Sequence, residues 1–102
     1  MSKYKEPAYT AYVRHAMRFY ASYPNTKVFR SESDRANWQA CHRALRAYPP
    51  ISQQILMYVY GERDTLGDNV YNASKLHSVH QDTVWEMMRE FERRIAMERG
   101  LL

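Results

Sequence analysis

Val70–Ile95, VYNASKLHSVHQDTVWEMMREFERRI, decides how this chain is read. A short helix-forming segment gives way at His77-Ser78-Val79 to a break of three or four residues. A longer amphipathic stretch follows, with Thr83-Val84 near its start. That spacing predicts a helix-turn-helix, whose second helix can lie in a DNA major groove. In such a unit the first helix braces the second through small and apolar residues, here Val70, Ala73 and Ser74. Val79 plugs the turn, and Val84 and Met88 anchor the second helix. Gln81, Asp82, Trp85, Glu86 and Arg89 then fall on the outward, N-terminal face of that helix as base-reading candidates. Gln suits adenine, Arg suits guanine or phosphate, and a carboxylate can accept from cytosine N4.

The last helix presents Val84, Met88, Phe91 and Ile95 at i, i+4, i+7 and i+11 and should stop at Gly100. Its start has two solutions, a capping box made by Ser78 and Gln81 or a start at His80. Upstream, Thr65 with Asp68 resembles a capping box for a helix reaching about Leu76. Before that, Ser52 can cap a helix QQILMYVYGE with Ile55, Leu56, Val59 and Tyr60 inward and Gly61 at its C′ position. In the first half, Pro7 fits the first turn of a helix running to about Ser22. Tyr9, Val13, Met17 and Tyr20 form its apolar face, with Tyr12, Ala16 and Phe19 alongside. A polar loop from Pro24 to Ser31 follows, with Val28 and Phe29 tucked inward. Ser31 or Ser33 caps a second helix whose stripe is Trp38, Cys41 and Leu45, and Pro49-Pro50 ends it. No stretch alternates apolar and polar residues long enough to suggest a sheet. The expectation is an all-α fold of about five helices, an orthogonal bundle with a C-terminal helix-turn-helix. It forms a single domain over residues 1–102, with a basic helical pair in 1–50 and the helix-turn-helix in 51–102.

Composition bounds the function classes. Hydrophobic residues make up 45% of the 102, enough for a modest core. No apolar run reaches the roughly 18 residues that span a bilayer. MSKYKEPAYT carries charge but no apolar core of the kind a secretory signal needs, and the single cysteine, Cys41, has no internal partner. These features predict a cytoplasmic protein without membrane association. Residues 1–50 hold nine basic and three acidic residues, a net +6. Residues 51–102 hold six and eight, a net −2. Arg14, Arg18, Arg43 and Arg46 of the basic half, with Lys75 and Arg93, are therefore the candidates for gripping phosphates.

The residues Val70-x-x-Ala73-Ser74, Val79-His80-Gln81-Asp82-Thr83-Val84 and Met88 resemble region 4 of bacterial sigma-70-type factors. ILMYVY looks like the preceding helix of that region. The tail Ile95–Leu101 is similar to the ends of small sigma-like or late-gene regulators carried by phages and mobile elements of Firmicutes. The resemblance spans about half the chain, from Ser52 onward, and implies a transcription regulator that binds double-stranded DNA and contacts RNA polymerase. The chain departs from the pattern at three turn positions. His77 replaces an apolar residue, Ser78 the turn glycine and His80 a capping serine. Asp82, Glu86, Glu90 and Glu92 also add acid to a helix that would gain from positive charge.

The same residues also bear on other classes. The acidic and aromatic face of the last helix, with Trp85 and Met87, also suits a protein-interaction module that binds RNA polymerase, a sigma factor or another regulator without touching DNA. A homodimer on the same helix would use Met87, Met88 and Phe91. Tyr4, Tyr9, Tyr12, Tyr20 and Tyr23 interleave with Arg14 and Arg18, a mixture used to stack single-stranded nucleic acid, but their helical spacing favours core packing. His77, His80, Cys41 and His42 do not make a converging metal set, so no metal and no cofactor is expected. No Ser-His-Asp set, paired carboxylates or phosphate-cradling glycine loop is present, so no enzyme is expected either.

Overall fold

The computed structural model describes residues 5–102; Lys3 and Tyr4 lie outside the described residues. Five helices follow in order, α1 Thr10–Ser22, α2 Glu32–Arg46, α3 Pro50–Gly61, α4 Leu66–His77 and α5 Gln81–Glu98, and there is no strand among the described residues. The all-α expectation with five helices is what the chain adopts.

The helix starts show which local chemistry prevails. α1 begins three residues beyond Pro7, whose carbonyl accepts from the Thr10 N–H at 3.1 Å. The Ser31 hydroxyl accepts from the Asp34 N–H at 3.1 Å, and Glu32 and Asp34 in the first turn meet the positive end of the α2 dipole. α3 starts earlier than expected. Pro50 takes the first helical position, where a missing N–H costs nothing, and Ser52 lies inside the first turn rather than capping it. Gly61 is the last residue of α3, not a left-handed residue beyond it. An added Cβ there would stand 3.4 Å from Ala21 of α1, so the two helices approach closely at this point. α4 starts as its sequence predicts, with the Thr65 hydroxyl 3.1 Å from the Asp68 N–H.

The loop before α4 is held by a residue that sequence patterning does not reveal. Asn69 is buried, and its side-chain amide donates to the Val59 carbonyl at 2.9 Å and the Glu62 carbonyl at 3.0 Å. It thereby satisfies acceptors at the frayed end of α3, which no following helical turn can reach.

Both halves of the chain contribute to one buried cluster. Val13, Met17, Cys41 and Leu45 lie in it with Leu56, Val59, Val70, Val84, Met88 and Phe91. α5 packs on α1, α2 and α4. Burial pushes the Cys41 thiol up to about 12, so it stays protonated and inert at neutral pH. Val28, expected inward, is 81% exposed, while Phe29 is half-buried. Tyr12, expected beside the apolar face of α1, is exposed and donates to Asn37 of α2 at 3.1 Å. Met88 and Phe91, expected partly exposed on a dimer face, are fully buried, while Met87 is half-buried. No helix among the described residues is long and apolar enough to cross a membrane.

The chain's most informative turn joins α4 to α5. Ser78 adopts the left-handed conformation, φ 54° and ψ 42°. The Val79 N–H reaches back to the Ser74 carbonyl at 3.0 Å, and the Ser78 N–H points to the Lys75 carbonyl at 3.4 Å. This is the hydrogen-bond pattern of a helix ended by a C′ residue, a position that favours glycine. Ser78 therefore ends α4 and does not cap α5. His80 takes that second role, its Nδ1 accepting from the Asp82 N–H at 3.2 Å. An L-residue in this conformation costs roughly 1–2 kcal/mol, part of which glycine returns as extra freedom of the unfolded chain. Ser78→Gly should therefore stabilise the protein by about 0.5–1 kcal/mol, raising the melting temperature by a few degrees. An unchanged or lowered melting temperature would contradict the left-handed turn. The end of α5 uses the same device with the favoured residue. Gly100 has φ 70°, and the Leu101 N–H bonds the Ala96 carbonyl at 2.8 Å.

Candidate nucleic-acid interface

The α4–turn–α5 unit is assembled from the residues outward. Val70 and Ala73 are fully buried and Ser74 nearly so. The Ser74 hydroxyl donates to the Tyr71 carbonyl at 2.6 Å, which satisfies its polar group without breaking the helix. Ala73 carries the smallest side chain among the buried residues of α4, and α4 packs directly on α5. Val79, half-buried, turns its side chain against the core, and Val84 and Met88 are completely covered. Trp85 is half-buried and packs on the core.

The opposite side of α5 faces solvent. Gln81, Asp82, Glu86 and Arg89 are all exposed, and Asp82, Glu86, Arg89 and Arg93 repeat at helical spacing as one outward stripe. Of the four residues in that stripe, Asp82 alone lies in the first turn, where the helix dipole favours an acid.

The acidic character of α5 is smaller than its sequence suggests. Glu92 is only 3% exposed and lies in the interior. It accepts from Arg14 Nε at 2.9 Å and from the Tyr60 hydroxyl at 2.6 Å, tying α5 to α1 and α3. Glu90 accepts from the Tyr48 hydroxyl at 3.0 Å and from Arg94 at 3.3 Å. Burial, and then that bond to Glu90, push the Tyr48 hydroxyl up to about 12. Glu98 faces Arg43 at 3.3 Å. Two acids, Asp82 and Glu86, remain on the outward stripe.

The phosphate candidates divide. Arg14 is bound to Glu92 and, at 3.1 Å, to Glu6, so it serves the interior and is removed from that set. Arg43 sits beside Glu98 in the last turn of α5, about 25 Å along the helix from Gln81 at 1.5 Å per residue. It does not flank the first turns. Lys75, on the exposed side of α4, lies 5.3 Å over the Tyr71 ring. Arg93 is exposed and touches the Met97 sulfur at 3.5 Å. Arg18 and Arg46 are exposed on α1 and α2.

His42, Cys41 and His80 serve other roles. His42 Nδ1 stands 2.8 Å from the Tyr20 hydroxyl, and its ring stacks on Trp38 at 4.9 Å. Cys41 is buried and His80 caps α5. Among the described residues no group of three His, Cys, Asp or Glu is arranged to hold a metal ion. The aromatic cluster of Tyr20, Phe29, Trp38 and His42 was not foreseen. Its one sequence signal is Trp38 and His42 at i and i+4 on one face of α2. Comparison of the chain with protein families, with curated proteins and with solved structures finds no match.

Proposed function

We propose that the protein is a DNA-binding transcription regulator, similar to sigma region 4, that places the first turns of α5 in a major groove. The observation that carries this reading is the Ser78–His80 turn. Its left-handed residue and inward Val79 bury one side of α5 and leave Gln81, Asp82, Glu86 and Arg89 outward. Gln81 is assigned to adenine and Arg89 to guanine or phosphate. Asp82 and Glu86 are confined to cytosine N4, so they restrict the bases tolerated as well as weakening the grip. Lys75, Arg93 and Arg46 supply backbone contacts.

Titration of duplex DNA selected from a random pool tests this. Binding should weaken with salt, each phosphate contact adding about 0.9 to the slope of log K against log salt. Arg89→Ala should weaken it by roughly 1–3 kcal/mol, about five- to 150-fold. Absence of binding to any duplex at low salt removes the proposal.

A second reading is favoured by Asp82 and Glu86, which stand outward on the helix that also carries half-buried Trp85 and Met87. Here the face binds RNA polymerase, a sigma factor or another regulator. Replacing both acids with lysine separates the two. It should strengthen duplex binding under the first reading. Under the second it should abolish recovery of the partner from nuclease-treated extract.

A further inference from the structure

The surface where α1 hands over to α2 has the chemistry of a different ligand. The 23–31 connection is held at its start and in its middle. Trp38 Nε1 donates to the Tyr23 carbonyl at 3.0 Å, and Thr26 Oγ1 bonds both the N–H and the carbonyl of Val28. Three hollows surround it and share walls. The largest, about 540 Å³, lies between α1 and α2 and is bordered by Arg18, Phe19, Tyr23 and Arg30. The next shares Phe19, Tyr23 and Arg30 and adds Phe29. The third shares Phe29 and reaches Lys27, Arg35 and Trp38. Together they make a trough in which rings and cations alternate.

Tyr23 presents its ring to solvent, while Phe29 is half-buried. Tyr23 is 58% exposed, with its ring 5.3 Å from that of Phe19. Phe29 leans edge-on against Trp38 at 5.9 Å, and Arg35 covers its ring at 5.0 Å. Arg18, Lys27, Arg30 and Arg35 are all exposed along the trough. Two acids are near. Asp34 lines the largest hollow, and Glu32 is highly exposed at 3.9 Å from Arg35. Four cations against two acids leave the trough positive.

We infer that this trough binds single-stranded nucleic acid, with an unstacked base on Tyr23, Phe29 flanking it, and phosphates on Arg18, Lys27, Arg30 and Arg35. A positive groove with aromatic platforms suits a strand whose base faces are free, and it is tolerant of sequence because every base has such a face. A duplex hides those faces. An acidic peptide answers the cations but leaves the rings without a partner. The site is separate from α5 and does not depend on duplex reading there.

Anisotropy of labelled dT16 and rU16 with the intact protein tests the assignment and separates DNA from RNA as the strand. Either strand should bind at low salt, and Tyr23→Ala should weaken binding about tenfold. Arg30→Ala should flatten the salt dependence by about 0.7 in slope. Gln81→Ala and Arg89→Ala should leave it unchanged, so failure of the duplex reading would not touch this result. In the unsubstituted protein, photo-crosslinking of 5-iodouracil strands should label Tyr23 or Phe29. No binding of either strand overturns the inference. So does labelling confined to α5. Competition by polyglutamate as strong as by unlabelled dT16, with Tyr23→Ala unchanged, would replace it with an acidic-polymer site.

Discussion

Glu92→Ala should destabilise the protein by about 3 kcal/mol, the low end of what breaking a buried ion pair costs. Glu92 joins three helices in the interior, and its loss strands two groups at once. The Tyr60 hydroxyl is buried and would keep no acceptor, a penalty of about 1–3 kcal/mol. Arg14 is less trapped. Its side chain is 25% exposed and retains Glu6, so it can turn toward water and limit the damage. Glu92→Gln keeps an oxygen for Tyr60 and should cost less than half as much. The informative control replaces all three polar groups, Arg14→Met, Tyr60→Phe and Glu92→Leu. An apolar set of similar volume should recover most of the loss, because desolvation of the charges disappears along with their attraction. Urea unfolding measures each difference. A loss for Glu92→Ala below about 1 kcal/mol, the range of exposed pairs, would mean that Glu92 is solvated.

Phe91→Ala should cost about 3–5 kcal/mol, the range for removing a buried aromatic ring. Phe91 is completely covered, and its ring meets Tyr48 at 5.7 Å edge-on and Tyr60 at 6.0 Å. It sits where the two halves of the chain share their core. The hole left behind would loosen the α2–α3 connection, through Tyr48, and α3, through Tyr60, together. A domain of this size loses about 4–8 °C of melting temperature per kcal/mol, so the drop should exceed 10 °C in one cooperative step. Two separate transitions would mean that the N-terminal pair and the C-terminal helices fold apart. A drop of only a degree or two would place the ring at the surface.

The features legible in the sequence are those written locally. Helix existence followed from apolar spacing, and the caps at Ser31 and Thr65 came from side chains acting within three residues. The stripe Val84, Met88, Phe91, Ile95 is buried as its period requires. The N-terminal side of α5 was legible as outward for the same reason, because an apolar stripe defines its own opposite face. What the sequence concealed depends on distant partners or on backbone conformation. Glu92 lies on the buried stripe, four residues after Met88, but its charge argues for water until Arg14, 78 residues upstream, is known to meet it. Val28 reads as an inward residue by type, yet nothing in a short loop obliges the chain to turn it inward. Ser78 has good capping chemistry for the helix after it. The turn uses its backbone instead, because the last carbonyls of α4 need partners and only a left-handed residue lets Val79 reach back. Ser52 has no capping role, because Pro50, with its fixed φ, starts the helix three residues sooner.

The reading rests on the first turns of α5 meeting a duplex while the remainder of that helix seals the core. Backbone amide shifts, followed as a selected duplex is added to isotopically labelled protein, test this most directly. The largest changes should fall on Gln81–Arg89, with Lys75 and Arg93 at the margins and the buried stripe undisturbed. Changes confined to other helices, or none at saturating duplex in low salt, would contradict it.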